Sequence, residues 1–215
     1  MYKLVIFDFD GALADSTRWM IEELTPLAAR FGLRQVCEAE IESLRGCGAR
    51  QILSRLGVQA WHLPFVAGHL RKRVAEDAET IKLFPGAKAL LRRLAGQGVV
   101  LGLVSSNSAA NVRRILGPEA AALIEHYACG APLFGKAAKF RKVVRRARVK
   151  PGETLCIGGD TRDIEAAQQA GLASGAVAWS YARRELLASR CPTWLFETPD
   201  EVAARLEPDA FRRVA

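Results

Sequence analysis

The chain is poor in the residues that usually mark a soft-metal site or a crosslink. Its three histidines, His62, His69 and His126, show no ligand spacing and read as ordinary polar side chains. Five cysteines (Cys37, Cys47, Cys129, Cys156 and Cys191) form an odd, scattered set without a CxxC pair. Neither a disulfide framework nor a zinc site is therefore expected. No apolar run approaches the ~18 residues of a membrane span. No signal peptide precedes the first strand-like stretch, and neither an internal repeat nor a low-complexity segment is visible. These absences predict a soluble, cytoplasmic protein with ordinary thiols and no membrane partner.

What is present is a chain of 215 residues, 50% hydrophobic, with a net charge of +8. That composition supports a sizeable core. Much of the basic excess lies in RKVVRRARVK, from Arg141 to Lys150, and in Arg71 to Arg73. A nucleic-acid patch is one reading. The helical spacing of Phe140, Val143, Val144 and Ala147 favours the other, a solvated helix face, and no nucleic-acid module is visible. The positive field would still attract a small anion.

Short apolar runs alternate with helical patterns, which predicts an α/β fold with a parallel sheet covered by helices on both faces. Strands are expected at 3–7, 99–104, 154–157 and 175–179, with a weaker one at 194–196. Helices are expected at 86–95, 109–116, 137–148, 163–170 and 199–206. Between residues 16 and 83 the alternation disappears. Trp19, Met20, Leu24, Leu27, Ala28 and Phe31 mark one amphipathic helix, and Ile41, Leu44, Ile52, Leu53 and Leu56 suggest others before a helical run at 65–81. Trp61 and Phe65 read as core residues of this block. The Pro-Gly pair of FPGAKALLRRL then resumes the α/β pattern. The division is a core at 1–15 and 84–215 with an all-helical insertion at 16–83.

The strand ends carry the chemistry, because open α/β sheets bind ligands beyond their carboxyl edges. The first strand runs LVIFDFDGALADS straight into Asp8 and Asp10. Two carboxylates this close oppose each other's ionisation unless a positive charge offsets them. Later strands and loops deliver Ser105 to Ser108 (SSNS), Lys136 and Lys139 (FGKAAK), and Asp160 and Asp163 (GGDTRD). Carboxylates, hydroxyls and an ammonium converging on one edge suit a divalent cation and a phosphoryl group. The helix starting near Ser108 would aim its N-terminus at the same anion.

DFDGALADS, VSSN, the lysine and GDTRD resemble the four ordered motifs of the haloacid dehalogenase superfamily, and the helical insertion resembles the cap of its phosphoglycolate phosphatase-like members. The resemblance covers nearly the whole chain. It implies a Rossmann-like core and a Mg2+-dependent phosphatase that hydrolyses a small phosphorylated metabolite through an aspartyl-phosphate, phosphoglycolate being the first candidate with sugar phosphates and nucleotides open, as a monomer or homodimer. By the same resemblance Asp8 is the nucleophile. Asp10 is the general acid and then the base, with its main-chain carbonyl on the metal. Ser105 and the backbone of Ser106 or Asn107 bind the phosphoryl group beside the Gly11 turn. Lys136, in preference to Lys139, neutralises charge. Asp8, Asp10, Asp160 and Asp163 are the metal-site residues. Asp10 separates this reading from dehalogenases and phosphonate-cleaving relatives, which lack an acid two positions on. A phosphomutase is the alternative enzyme.

Two departures accompany the match. Ala12 stands where the family pattern has threonine. In the fourth motif only Thr161 and Arg162 separate Asp160 from Asp163, which places Gly159 at the usual ligand position. Either Gly158 and Gly159 let Asp160 bend to the cation, or a ligand is missing and the chain is an impaired phosphate-binding protein. Asp163 is open to two roles, helix N-cap or metal site. Ser108 and Asn111 read as helix-start residues. Arg45, in LRGCGARQIL, either meets a second anionic group of the substrate or sits on a helix–helix turn, with Gly46 and Gly48 permitting close approach.

Overall fold

The computed structural model describes residues 1–130 and 135–207. β1 (Leu4–Asp8), β4 (Val100–Val104), β5 (His126–Ala128), β6 (Thr154–Gly158), β7 (Ala173–Val177) and β8 (Trp194–Phe196) form one sheet in the order β5–β4–β1–β6–β7–β8. Every neighbouring pair is parallel. β1 lies inside the sheet with all five residues buried, which is why its sequence reads as a continuous apolar run rather than an alternation.

Successive side chains of β1 serve opposite layers. Val5 and Phe7 pack with Leu90, Leu91 and Leu94 of α5 (Ala87–Gly96), Val112 and Leu116 of α6 (Ala109–Leu123), and Val202 of α10 (Pro199–Arg205). Leu4 and Ile6 pack with Phe140, Val143 and Val144 of α7 (Lys136–Ala147) and Ala166 and Ala167 of α8 (Thr161–Ala170). The basic residues of α7 face out: Arg141, Lys142, Arg145 and Arg146 are exposed while Phe140, Val143 and Val144 are buried. This is the Rossmann-like three-layer arrangement expected from the sequence.

Several details differ from that expectation, among them α6, which runs on to Leu123, and the short strand Lys82–Leu83 inside the stretch expected to be all-helical. The strand expected at 175–179 is Ala173–Val177, so Trp179 lies beyond it. β5 was not foreseen, because two of its three residues, His126 and Tyr127, are only half-buried at the sheet edge. A short α9 (Arg184–Ala188) follows β7.

The chain leaves β1 through a tight turn in which the Phe9 carbonyl accepts from the amides of Ala12, Leu13 and Ala14. Gly11 sits in this turn at φ +78°, a conformation glycine adopts without a Cβ penalty. β2 (Ala14–Asp15) then pairs antiparallel with β3 (Lys82–Leu83). Between those strands run α1 (Thr17–Phe31), α2 (Glu38–Leu44), α3 (Ala49–Arg55) and α4 (Leu63–Glu76). Leu27, Ala28, Leu33 and Val66 form a small core within this insert. Trp61 and Phe65, expected in that core, are instead 63% and 64% exposed. The buried stripe of α4 is Val66 and Val74 with Leu70 packed beside it, and Phe65 falls one position off that four-residue spacing.

Candidate active site

The carboxyl edge of the sheet gathers the side chains that the sequence nominates. Asp8 ends β1 and is 7% exposed. Lys136, the first residue of α7, places Nζ 2.8 Å from Asp8 Oδ1 and 2.5 Å from Asp163 Oδ1. The site lysine is therefore Lys136 and not Lys139. Ser105, just past β4, donates from Oγ to Asp10 Oδ2 at 3.4 Å and accepts from the Asn107 amide at 2.9 Å.

Asn107 acts as an organiser of the loop. Its Oδ1 accepts from the Ser108 amide and from Asn111 Nδ2, each at 2.9 Å. Ser108 caps α6 by accepting from the Asn111 amide at 3.1 Å. Asn111 Nδ2 also donates to the Arg71 carbonyl at 2.8 Å, and Arg71 Nη1 donates to the Ser106 carbonyl at 3.4 Å. The second-motif loop is thus fixed both to its own helix and to α4 of the insert.

Burial dominates the electrostatics. It pushes the Asp8 and Asp10 carboxyls above their ordinary range; Lys136 opposes this at Asp8, and Ser16, Lys136 and Ser105 oppose it at Asp10. Asp163 is pushed up to about 6 by burial and by Asp8. Burial works against the charge of Lys136, but Asp163 and Asp8 outweigh it and hold the ammonium firmly protonated. The positive charge that offsets Asp8 and Asp10 is the buried Lys136 ammonium, which pairs with Asp8 and Asp163 and lowers the carboxyls of both Asp8 and Asp10.

The fourth motif differs from the arrangement the sequence invited. Asp160, not Asp163, is the N-cap of α8. Its Oδ1 accepts from the Arg162 amide at 2.9 Å and from Thr161 Oγ1 at 3.3 Å. Its Oδ2 accepts from Arg162 Nε at 3.1 Å and Nη2 at 2.8 Å. Burial would raise this carboxyl, but Arg162 holds it below the usual range. Asp163 sits three residues on and accepts the Asp160 amide at 3.0 Å. An aspartate that finds a backbone cap and a guanidinium two residues away is satisfied locally, and both Asp160 oxygens are engaged in this way. Gly159 lies tight against the first-motif turn, where a Cβ would meet the Gly11 carbonyl oxygen at 2.4 Å.

Mg2+ takes hard oxygen ligands, commonly one or two carboxylates completed by water and substrate phosphate. The Asp8 carboxylate and the Asp10 main-chain carbonyl are donors of that kind at the tip of β1. Among the described residues, no group of three or more His, Cys, Asp or Glu side chains is assembled to hold an ion. The donor set fits a Mg2+ that draws most of its shell from water and phosphate. It does not fit one caged by carboxylates.

Arg45 is turned away from an incoming anion. Its Nε donates to the Tyr181 carbonyl at 3.0 Å and its Nη1 lies 3.4 Å from Glu42 Oε1. Tyr181 in turn donates its hydroxyl to the Ile41 carbonyl at 2.7 Å, and the Arg183 amide donates to the Arg45 carbonyl at 3.0 Å. Arg45 thus belongs to the helix–helix turn reading, as part of a clasp between the insert and the segment after β7. Gly48 permits the expected close approach, since a Cβ there would come within 3.3 Å of Thr161 Oγ1.

Sequence reasoning missed Ser16, a buried hydroxyl that lowers the Asp10 carboxyl, and Trp179, whose Nε1 donates to the Ala12 carbonyl at 3.0 Å. Ser16 stood in the quoted first motif and was within reach. Trp179 is 167 positions from its partner, and no local pattern announces such a contact.

The family model described as haloacid dehalogenase-like hydrolase matches residues 5–177. The phosphoglycolate phosphatase of Synechococcus elongatus is 32% identical over 201 residues, covering 93% of this chain and 95% of the relative. That of Xanthomonas campestris is 28% identical over 193 residues, covering 83% and 84%. Among solved structures, a haloacid dehalogenase-like hydrolase from Streptococcus pneumoniae superposes with a TM-score of 0.79 at 18% identity, over 96% of this chain and 99% of that one. CbbY from Rhodobacter sphaeroides, in complex with phosphate, gives 0.71 at 22% identity, over 94% and 96%. With that match over most of its length, the chain belongs to the haloacid dehalogenase-like hydrolases.

Proposed function

We propose that this phosphatase, similar to phosphoglycolate phosphatases, hydrolyses a small phosphate monoester through an aspartyl-phosphate on Asp8, with residues 16–83 acting as a cap over the site. The observation that carries the reading is the buried Lys136 ammonium between Asp8 and Asp163, with Asp10 and Ser105 beside them.

In the first half-reaction an Asp8 carboxylate oxygen attacks phosphorus, and the bond from phosphorus to the leaving oxygen breaks. Asp10 gives its proton to that oxygen, a task suited to a carboxyl whose affinity for the proton is raised by burial. In the second, Asp10 takes a proton from water as the water attacks phosphorus, and Asp8 is released. Ser105 donates to a phosphoryl oxygen, and Lys136 offsets the charge that gathers there. Mg2+ held by Asp8 and the Asp10 carbonyl would supply Lewis-acid stabilisation of the phosphoryl oxygens.

The test is phosphate release from an aryl phosphate, coupled to mass spectrometry of acid-quenched enzyme. Wild type should release phosphate and yield a peptide phosphorylated at Asp8, and Asp8→Asn should do neither. Transfer of the phosphoryl group to a sugar without release would favour a mutase. Absence of both activities would leave a phosphate-binding protein.

A further inference from the structure

Beside Asp10, between the sheet edge and the helical insert, lies a cleft of about 220 Å³. Its floor is polar, with Asp10, Gly11 and the fourth-motif residues Gly159 to Arg162. Its walls are not. Met20, Ile21 and Leu24 come from α1, Leu44 and Ile52 from α2 and α3, and Leu186 from α9. Met20, Ile21 and Leu24 recur at helical spacing, so one face of α1 looks into the cleft while Leu27 and Ala28 bury themselves in the insert.

The proposed chemistry fixes what this space would hold. Asp10 protonates the leaving oxygen, so the organic part of the ester lies on the Asp10 side, in the cleft that Asp10 lines. Among the described residues, an anionic organic part finds no cation on the cleft's cap side: Arg162 is the one basic residue lining it, and its guanidinium is engaged with Asp160. Arg45 is drawn off onto the Tyr181 carbonyl and Glu42 and does not line the cleft. The Asp160 carboxylate, held ionised by Arg162, would repel a second negative charge. An apolar organic part, by contrast, meets apolar walls. A cavity of about 150 Å³ lined by such side chains already accepts a benzene ring, and each methylene moved from water into such walls improves binding by roughly fourfold.

We propose that the cleft selects phosphate monoesters whose leaving group is apolar, a ring or a branched or straight alkyl chain, over those that carry a carboxylate. The proposal rests on the reading of Asp10 as the leaving-group acid and deepens it by naming the substrate class.

The experiment compares nonhydrolysable probes, so that binding is read apart from turnover. Benzylphosphonate and phosphonoacetate are titrated into the full-length wild-type protein by calorimetry. In parallel, kcat/KM is measured for 2-phenylethyl phosphate and 2-phosphoglycolate, both esters of alkyl alcohols. The expected result is tenfold or tighter binding of benzylphosphonate and the same order of preference in kcat/KM. Met20→Lys, at an exposed position on the rim, and Ile52→Lys, on a different helix, should each reduce the preference at least fivefold by favouring the carboxylated probe. Circular dichroism confirms that each variant is folded, and two positions keep the test open if one is not. Equal binding, preference for phosphonoacetate, or binding of neither probe would overturn the proposal. Selective binding of benzylphosphonate without hydrolysis of any ester would uphold the cleft's selectivity while overturning the phosphatase mechanism.

Discussion

Lys136 Nζ lies 2.8 Å from Asp8 Oδ1, with both side chains nearly sealed from solvent. A single ammonium therefore conditions Asp8, the proposed nucleophile, and, through Asp163, the start of α8. Lys136→Met should lower kcat by about 10²- to 10³-fold, the usual effect of removing one preorganised charge-stabilising donor. It should also cost about 3–5 kcal/mol of stability, because it leaves buried carboxylates unpaired. Stopped assays and urea denaturation measure the two effects.

The same cluster sets a pH dependence. Asp163 is raised from 3.8 to about 6 in the folded protein, so between those values the folded state binds more protons than the unfolded one. Stability should then fall as pH rises through that window. In Lys136→Met the opposing positive charge is gone, and the fall should continue to higher pH. Denaturation midpoints taken from pH 4 to pH 8 for both proteins test the sign.

Asp160 is committed to α8 and Arg162. Asp160→Ala should cost about 1 kcal/mol through loss of the cap, while Asp160→Asn, an equally good cap, should cost less. Neither should shift the Mg2+ concentration for half-maximal activity by more than about threefold if the ion draws its shell mainly from water and phosphate. A tenfold rise in either variant would place Asp160 among the metal ligands.

Gly159 packs where a Cβ would stand 2.4 Å from the Gly11 carbonyl oxygen and 2.6 Å from the Ser180 Cβ. Gly159→Ala must push the first-motif turn away from the fourth-motif loop. A loss of about 1–3 kcal/mol is expected, as for other overpacked sites. KM should rise with it, because the displaced turn carries Asp10. Thermal melts and initial-rate kinetics report on each.

Within the insert, Arg73 binds the buried Glu23 at 2.9 Å and Asp77 at 2.9 Å, and Asp77 also accepts from Trp19 Nε1 at 3.0 Å. Arg73 is a third exposed, so solvent screens part of the pair. Arg73→Met should still cost about 2 kcal/mol, the scale of charge-assisted hydrogen bonds. Glu23→Gln in the same background should recover part of it. A double-mutant cycle read by chemical denaturation isolates the coupling.

Legibility in the sequence followed locality. Asp8, Asp10, Ser105 and Lys136 could be read because each directly follows a strand or opens a helix, and the buried strands announce themselves as apolar runs. β5 was hidden because an edge strand of three residues, HYA, has too little apolar length to be distinguished from a loop. The cap of α8 could be assigned to neither aspartate in particular, because either can begin a helix; the structure gives it to Asp160, which also holds Arg162, while Asp163 pairs with Lys136. Phe65 misled for a related reason: a large apolar residue one step off a helical stripe looks like core until the stripe is phased, while Trp61 lies in a 3-10 turn ahead of that helix. Contacts such as Trp179 to Ala12 depend on the folded topology alone.

The paired short strands Ala14–Asp15 and Lys82–Leu83 bring the beginning and the end of the helical insert side by side. A segment tethered at one such neck can be lengthened, trimmed or exchanged for another without disturbing the register of the sheet. On the proposed function, most of the cleft's apolar walls travel with that segment, while Leu186 and the residues that meet the phosphoryl group stay with the sheet.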